Sequence, residues 1–185
     1  MSMPQFSKTP QRLIDYWTSL PTSAGATCPT RANFSVKGIT SFMQEVFTIE
    51  WGNEGTLRIL QIGTKLDQGL GHDLTHRDIL EMVPKAHLSG ELAFYRNLCG
   101  TPCAGMTTHS FQSTNGRPLL YKAVLLPLLD TAGDVRFFVG AGSILHAEDA
   151  VAGFGPEYMD FWQLPKREYL DIGAGLPPMN EYSYC

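Results

Sequence analysis

The sequence predicts an α+β fold in which one antiparallel sheet of five strands is covered on one face by short helices. Three observations predict it. Two segments rich in Thr, Ile, Val and Phe, at 46–51 and 56–62, are joined by a turn with a glycine at each end, as in a β-hairpin. Short helical patterns follow between residues 65 and 99. Three more strand patterns complete the sheet and are joined by short turns that contain glycine: 103–112, 119–128 and 135–145.

An amphipathic helix is predicted near the start of the sequence. Thr9 is the expected N-cap and Pro10 the first helical residue, where the missing N–H of proline costs nothing. Leu13, Trp17 and Leu20 recur at i, i+4 and i+7, so they share one face of the helix. This apolar stripe predicts that the helix packs against another element.

A linker and a second helix are predicted next. Residues 21–31 are rich in Pro, Thr, Ser, Ala and Gly, which is typical of a surface loop. A helix is then expected from Ser35, and its apolar face is Ile39, Phe42, Met43 and Val46. Three shorter helices are predicted between the hairpin and the last three strands, at about 65–69, 77–83 and 89–99.

The last strands and the tail have different patterns. The run 119–129 is apolar at nearly every position except Tyr121 and Lys122, which predicts a central strand covered on both faces. After His146 no clean period remains, apart from a short helical pattern near 156–164. The tail is therefore expected either to fold back on the core or to be presented to a partner.

These patterns divide the chain into three parts. Residues 1–34 form the N-terminal amphipathic helix and its linker, 35–146 form the α+β domain, and 147–185 form a C-terminal extension. A cleft between the sheet and the helices that cover it is the expected place for a small ligand.

Composition and charge exclude several classes of protein. The 185 residues are 43% hydrophobic and 17% charged, which is typical of a globular chain rather than a disordered one. Lys and Arg number 14 against 18 Asp and Glu, for a formal net charge of −4. Because nucleic-acid modules normally carry a basic excess, we expect no nucleic-acid partner.

The cysteines and the hydropathy pattern favour a cytoplasmic protein. Cys28, Cys99, Cys103 and Cys185 include no C-x-x-C pair, so we expect free thiols in a reducing compartment. The first residues lack the apolar run of a signal peptide, and no window is long and apolar enough for a membrane span. We therefore expect no membrane partner.

Several short motifs recur in an order that is known from one family. They are LIDYWTSLP at 13–21, PTR at 29–31, IGTKL at 62–66 leading into GHDL at 71–74, and LLPL at 125–128. Together they resemble the PAS domain family, and within it a branch of short, stand-alone bacterial PAS proteins. The resemblance covers about residues 13–145. It implies a sheet with the spatial order 2-1-5-4-3, a signalling or sensory role, and no catalytic residues to carry over.

The segment GLGHDLTHRDIL at 69–80 contains two histidines four residues apart, His72 and His76. Such a pair binds one metal when a helix places both side chains on the same face. Here Thr75 and Asp78 match a helix N-cap followed by an acidic residue, which would leave His72 outside the helix. We therefore expect a helix entry and no metal site. An exposed pH-sensitive or partner-contacting patch is the first alternative.

The cleft has candidate lining residues on the helix at 89–99 and on the last three strands: Tyr95, Met106, His109, Tyr121 and Phe138. Gly140, Ala141 and Gly142 could leave room for a ligand or could seat a helix. Some PAS domains hold haem through a histidine, for which His87 and His109 are the candidates. The NCRFLQ pattern of flavin-binding relatives is absent around Cys99 and Cys103. The sequence itself requires no cofactor.

The sequence therefore favours a non-enzymatic signalling protein that acts through protein contacts. The resemblance implies a histidine kinase or response regulator as partner, or a homodimer whose interface includes Leu13, Trp17 and Leu20. One alternative is a sensor whose cleft binds a metabolite or a cofactor such as haem. A second alternative is a small α+β enzyme that uses His109 with a carboxylate as acid and base. No motif for a serine nucleophile, a P-loop or a dinucleotide site is present.

Overall fold

The structure is a computed structural model that describes residues 8–52, 55–70, 74–112, 118–146 and 166–178. For 110–112, 118–119 and 145–146 it describes the backbone only. Within these residues no helix is both long and apolar enough to cross a membrane.

One antiparallel sheet organises the described residues. Its six strands there lie in the spatial order β2-β1-β5-β4-β3-β6. They are β1 (Val46–Trp51), β2 (Leu57–Ile62), β3 (Ala104–Gln112), β4 (Pro118–Leu129), β5 (Val135–His146) and β6 (Lys166–Leu170). The predicted α+β class and the order of the first five strands are confirmed.

The sixth strand is an addition to the predicted sheet. β6 comes from the C-terminal extension and pairs with β3 from Ala104 opposite Leu170 to Thr108 opposite Lys166. Part of the extension therefore folds back on the core. The short helix expected near 156–164 lies outside the described residues.

Four α-helices are described: α1 (Thr9–Thr18), α2 (Thr64–Leu70), α3 (Ile79–Met82) and α4 (Leu88–Gly100). The predicted cap of α1 is wrong by one residue, because Lys8 is the N-cap and Thr9 is already helical. The hydroxyl of Thr9 instead donates a hydrogen bond to Glu45, which also forms an ion pair with Lys65. These contacts join the start of α1 to the entry of β1 and to α2.

The single helix expected from Ser35 is also wrong. The structure has two 3₁₀ turns, Val36–Ile39 and Met43–Glu45. Phe42 between them, with φ −143° and ψ 12°, interrupts the helical path. The first turn lies directly on α1, since a Cβ on Gly38 would overlap the ring of Tyr16. Contact with α1 thus sets this backbone more strongly than helix propensity does.

The two faces of the sheet have different covers. Because side chains alternate along a strand, the register assigns each residue to a face. A Cβ on Gly105 would meet Phe94 and Leu98 of α4, and one on Gly69 of α2 would meet Ile144. This face is called the inner face below. The outer face is covered by α1, which contacts β4 and β5.

The stripe of α1 lies in the core of its own chain. Leu13 is 0% exposed and Trp17 is 5% exposed. The indole N–H of Trp17 donates a 2.9 Å hydrogen bond to the carbonyl oxygen of Pro127 in β4. Leu20 is half-buried against the same core. An interface through these three residues would require α1 to leave its own sheet, so it stays a prediction that this packing does not support.

The segment after α2 protects the free edge of β2. The backbone N–H of His76 donates to the carbonyl of Ile59 at 2.8 Å, and the N–H of Ile59 donates to the carbonyl of Arg77 at 3.0 Å. One carboxylate oxygen of Asp78 accepts from the N–H groups of Leu57 and Leu80, both at 3.0 Å. Residues 76–78 form what is called the strap below.

Candidate functional site

Aromatic rings lie on glycines of the inner face. A Cβ on Gly140 would overlap the ring of Phe47, and one on Gly142 would overlap the ring of Tyr121. Gly140 and Gly142 therefore seat side chains from neighbouring strands, which was neither of the two uses expected from the sequence, and Ala141 lies on the outer face. The rings take up the space directly above the centre of the sheet.

Tyr95 of α4 lies at the centre of an aromatic cluster. Its ring stacks on Trp51 at a centroid distance of 6.1 Å and meets Phe138 edge to face at 5.5 Å. Phe94, the next residue of the helix, also meets it edge to face at 5.4 Å. Such pairs add about 0.5–1.5 kcal/mol each beyond the area they bury. The cluster holds α4 across the sheet from β1 to β5.

A buried ion pair joins the other side of α4 to β6. Arg167 of β6 donates from Nε at 3.0 Å and from Nη2 at 2.6 Å to Oε2 of Glu91. The two side chains are 3% and 2% exposed. Gly90 allows this approach, since a Cβ there would lie 3.2 Å from the guanidinium. Charge is therefore brought into the inner face as a balanced pair.

Burial keeps the polar groups around this pair neutral. It raises the pKa of Tyr121, and it raises the pKa of Tyr95, where the nearby carboxylate of Glu91 adds to the effect. Burial lowers the pKa of His109, which the charge of Glu91 opposes and the charge of Arg167 reinforces. His109 lies directly opposite Tyr121 in the β3–β4 register. At neutral pH the site thus offers neutral hydrogen-bonding groups beside one ion pair.

The cysteines near the site are protonated thiols. Burial raises the pKa of Cys99 to about 11 and that of Cys103 to about 12, with Asp171 adding to the latter. Because the thiolate is the reactive form, neither has the character of a nucleophile. Across the described residues there is no group of three His, Cys, Asp or Glu side chains that could hold a metal.

A protein-family model described as PAS domain matches residues 5–143, which run from before α1 into β5. The chain belongs to the PAS domain family. The matched region ends before β6, so Arg167 comes from outside the family-defined part of the chain.

Three similar solved structures show the kinds of protein that this chain resembles in fold. VqmA bound to DPO is 14% identical with a TM-score of 0.45, over 64% of this chain and 61% of that one. An RNA-binding light-oxygen-voltage receptor is 14% identical with a TM-score of 0.47, over 72% and 37%. The PAS domain of an HTR-like protein from Haloarcula marismortui is 12% identical with a TM-score of 0.41, over 60% and 96%.

The PAS chain spans less than two thirds of the VqmA structure and of the light-oxygen-voltage receptor that it matches. No curated protein sequence matches it.

The structure brings four of the five predicted cleft residues to one face of the PAS sheet. Tyr95 faces the sheet from α4, and His109, Tyr121 and Phe138 lie on the inner face. Met106 is wrongly placed by the prediction, because it lies three residues from His109 and therefore points to the outer face. A ligand-binding role for the other four remains a prediction.

Glu91 and Arg167 are the site residues that sequence reasoning missed. A glutamate in a helix and an arginine in a tail are both usually exposed, so neither suggests burial. The available signal was the alternation of KREYL at 166–170, which places Arg167 and Tyr169 on one face of a short strand. It could not indicate which edge that strand joins.

The histidine segment is a helix entry, although its cap differs from the prediction. Asp78, rather than Thr75, is the N-cap of α3. His76 has a φ of 66° in the turn before it and is exposed. His72 and Asp73 lie outside the described residues. His76 contributes its backbone to the strap, which is a structural use of this residue.

Proposed function

We propose that this PAS protein is a non-enzymatic signalling module that acts by binding a second copy of itself through the outer face of β3 and β6. A histidine kinase or response regulator is the other partner class that the family resemblance implies. One observation carries the proposal: α1 covers the outer face at β4 and β5, while the part at β3 and β6 carries the partly buried Met106 and the 44% exposed Leu170.

The surroundings of these apolar residues support a protein interface. Lys166 and Glu168 form an exposed ion pair at 3.0 Å on the same face, and Lys122 lies next to them. An apolar centre with charged residues of both signs at its rim is typical of a protein contact surface. The aromatic rings that fill the inner face also favour signalling by contact over binding of a flat cofactor such as haem.

Light scattering after size exclusion tests the proposal. The wild-type protein is expected to form a dimer with a micromolar or lower dissociation constant. Glu168→Lys should weaken it at least about tenfold, because the two copies would then present an excess of positive charge to each other across this face. Glu81→Lys on exposed α3 is the matched control and should leave the mass unchanged. A wild-type protein that remains monomeric at about 100 µM would contradict self-association.

A second candidate function is small-molecule sensing. The neutral His109, Tyr95 and Tyr121 beside the Glu91–Arg167 pair favour it, because few polar groups in an apolar setting are typical of ligand sites. Native mass spectrometry and an absorbance spectrum of freshly purified protein separate the two functions. A co-purifying molecule that is lost from a Tyr121→Leu variant would support sensing. The bare chain mass supports the contact-based module.

A further inference from the structure

The attachment of β6 differs from that of the other strands. In the described part of the chain it pairs only with β3, over five residues, at the edge of the sheet. It also follows the region that the PAS family model matches. The five strands before it share the buried core of apolar side chains, including Leu125, Leu126 and Phe138.

Polar and aromatic contacts to α4 hold β6 from the inner side. Besides the Glu91–Arg167 pair, Asn97 donates a 3.0 Å hydrogen bond to the hydroxyl oxygen of Tyr169. The Tyr169 ring lies 5.3 Å from that of Phe94. Glu91, Phe94 and Asn97 are each three residues apart, so they lie along one side of α4. This side of the helix is matched to the two inner residues of β6.

Because a buried ion pair holds β6, its attachment depends on the presence of both charged partners. Removing two charges from water costs about as much as their attraction returns, so the pair adds little net stability. Loss of one partner is strongly unfavourable while the other stays buried. When β6 leaves the sheet, however, Arg167 moves into water with it, and the side of α4 that carries Glu91 is uncovered, so both charges become hydrated. Because β6 and the segment after it add only the partly buried Tyr169 and Ile172 to the apolar core, we expect the strand to detach with less free energy than the other five strands.

We propose that β6 is a gate beside α4. It opens by leaving β3 while the other five strands stay folded, and opening uncovers the edge of β3 and the space beneath α4 that Arg167 fills. The Glu91–Arg167 pair sets the equilibrium between the closed and open states. The inference rests on the packing of α4 and β6 and not on the proposed self-association, which would cover the outer face of the same strand and so oppose opening.

Two buried cysteines provide reporters of opening. Cys103 is 0% exposed and directly precedes Ala104, which pairs with Leu170 at the end of β6. Cys28 is also 0% exposed and belongs to the same buried core, but it precedes Pro29 and Thr30, which pair with Leu129 at the end of β4, away from β6. Labelling of a buried thiol requires that its cover opens. Gate opening therefore labels Cys103, and global unfolding labels both.

The test is peptide-resolved alkylation with N-ethylmaleimide in native buffer, using the full chain. Glu91→Gln leaves Arg167 buried without its counter-charge and should raise the labelling rate of Cys103 by about 100-fold or more. Cys28 labelling should change less than about twofold if only the gate opens. The matched control is Arg136→Gln, which removes the part-exposed ion pair with Glu50 of β1, away from β6, and should change neither rate.

A milder variant keeps the test decisive if Glu91→Gln fails to fold. Tyr169→Phe retains the ring and loses the Asn97 hydrogen bond, so Cys103 labelling should rise by about 2- to 10-fold. Equal increases at Cys103 and Cys28 in both variants would overturn the proposal, since they indicate loss of the whole fold. A Cys103 rate that neither variant changes would overturn it as well.

Discussion

Glycines on the inner face illustrate what single residues decide in this PAS protein. The Cβ of an alanine at position 140 would overlap the ring of Phe47, which is itself buried. The sequence predicts that these small residues leave space for another group. It could not show that the group is an aromatic ring from the neighbouring strand, because the position of this ring depends on the register of β1 against β5.

Gly140→Ala should therefore destabilise the fold by about 1–3 kcal/mol, the usual cost of overpacking a close-packed core. Urea denaturation measures the change. Gly100→Ala is the control, because a Cβ at the last residue of α4 has no heavy atom within 4 Å. The explanation fails if both substitutions have the same effect on the free energy of unfolding.

The candidate site shows the limit of residue-level prediction. Strand alternation predicts that His109 and Thr107 share a face, and the β3–β4 register confirms it by pairing them with Tyr121 and Ala123. Met106 fails by the same rule, since it lies an odd number of residues from His109. The charged pair was not predictable, because Glu91 and Arg167 are 76 residues apart and meet only through the position of β6.

At the scale of elements, strands were more predictable than helices. The bounds of β1 and β2 follow from runs of β-branched and aromatic residues, which local chemistry determines. The segment 35–46 has a helical apolar period, yet it forms two 3₁₀ turns because it must fit against Tyr16 of α1. Where a tertiary contact sets the backbone, the period of the sequence is a weaker guide.

The packing of α1 leads to a prediction about stability. Leu13→Ala should lower the free energy of unfolding by about 2–5 kcal/mol, because it leaves a cavity between α1 and the sheet. Val36→Ala, at a 46% exposed side chain, should change it by less than about 0.5 kcal/mol. Urea denaturation at several protein concentrations measures both values. A Leu13→Ala protein that keeps its stability but changes mass would instead indicate that Leu13 lies in an interface between copies.

The whole molecule should lose stability in mild acid because of His109. Burial lowers the pKa of this side chain in the folded state, whereas the unfolded value is near 6.5. Its contribution is therefore complete above about pH 6.5 and is lost as the pH falls from there through the lower folded pKa. Glu91 opposes the shift, and Arg167 and His87 reinforce it.

Urea denaturation between about pH 5 and about pH 8, the range in which histidine titrates, measures this dependence. His109→Gln should flatten the curve of unfolding free energy against pH. His76→Gln, at an exposed histidine, should leave the slope unchanged. Identical slopes for the wild type and His109→Gln would show that His109 does not control the acid response.

The strap at residues 76–78 has a consequence for how copies of this protein could assemble. It occupies the outward amides of Leu57 and Ile59, so an incoming strand cannot pair with this half of β2 unless it displaces the strap. Strand addition is then confined to the opposite margin, where β6 is the last described strand. A sheet that adds strands at one margin stops growing when two chains pair through that margin. The joined sheet then has a protected margin at each end. Closed pairs, rather than fibres, are the natural product of such an edge.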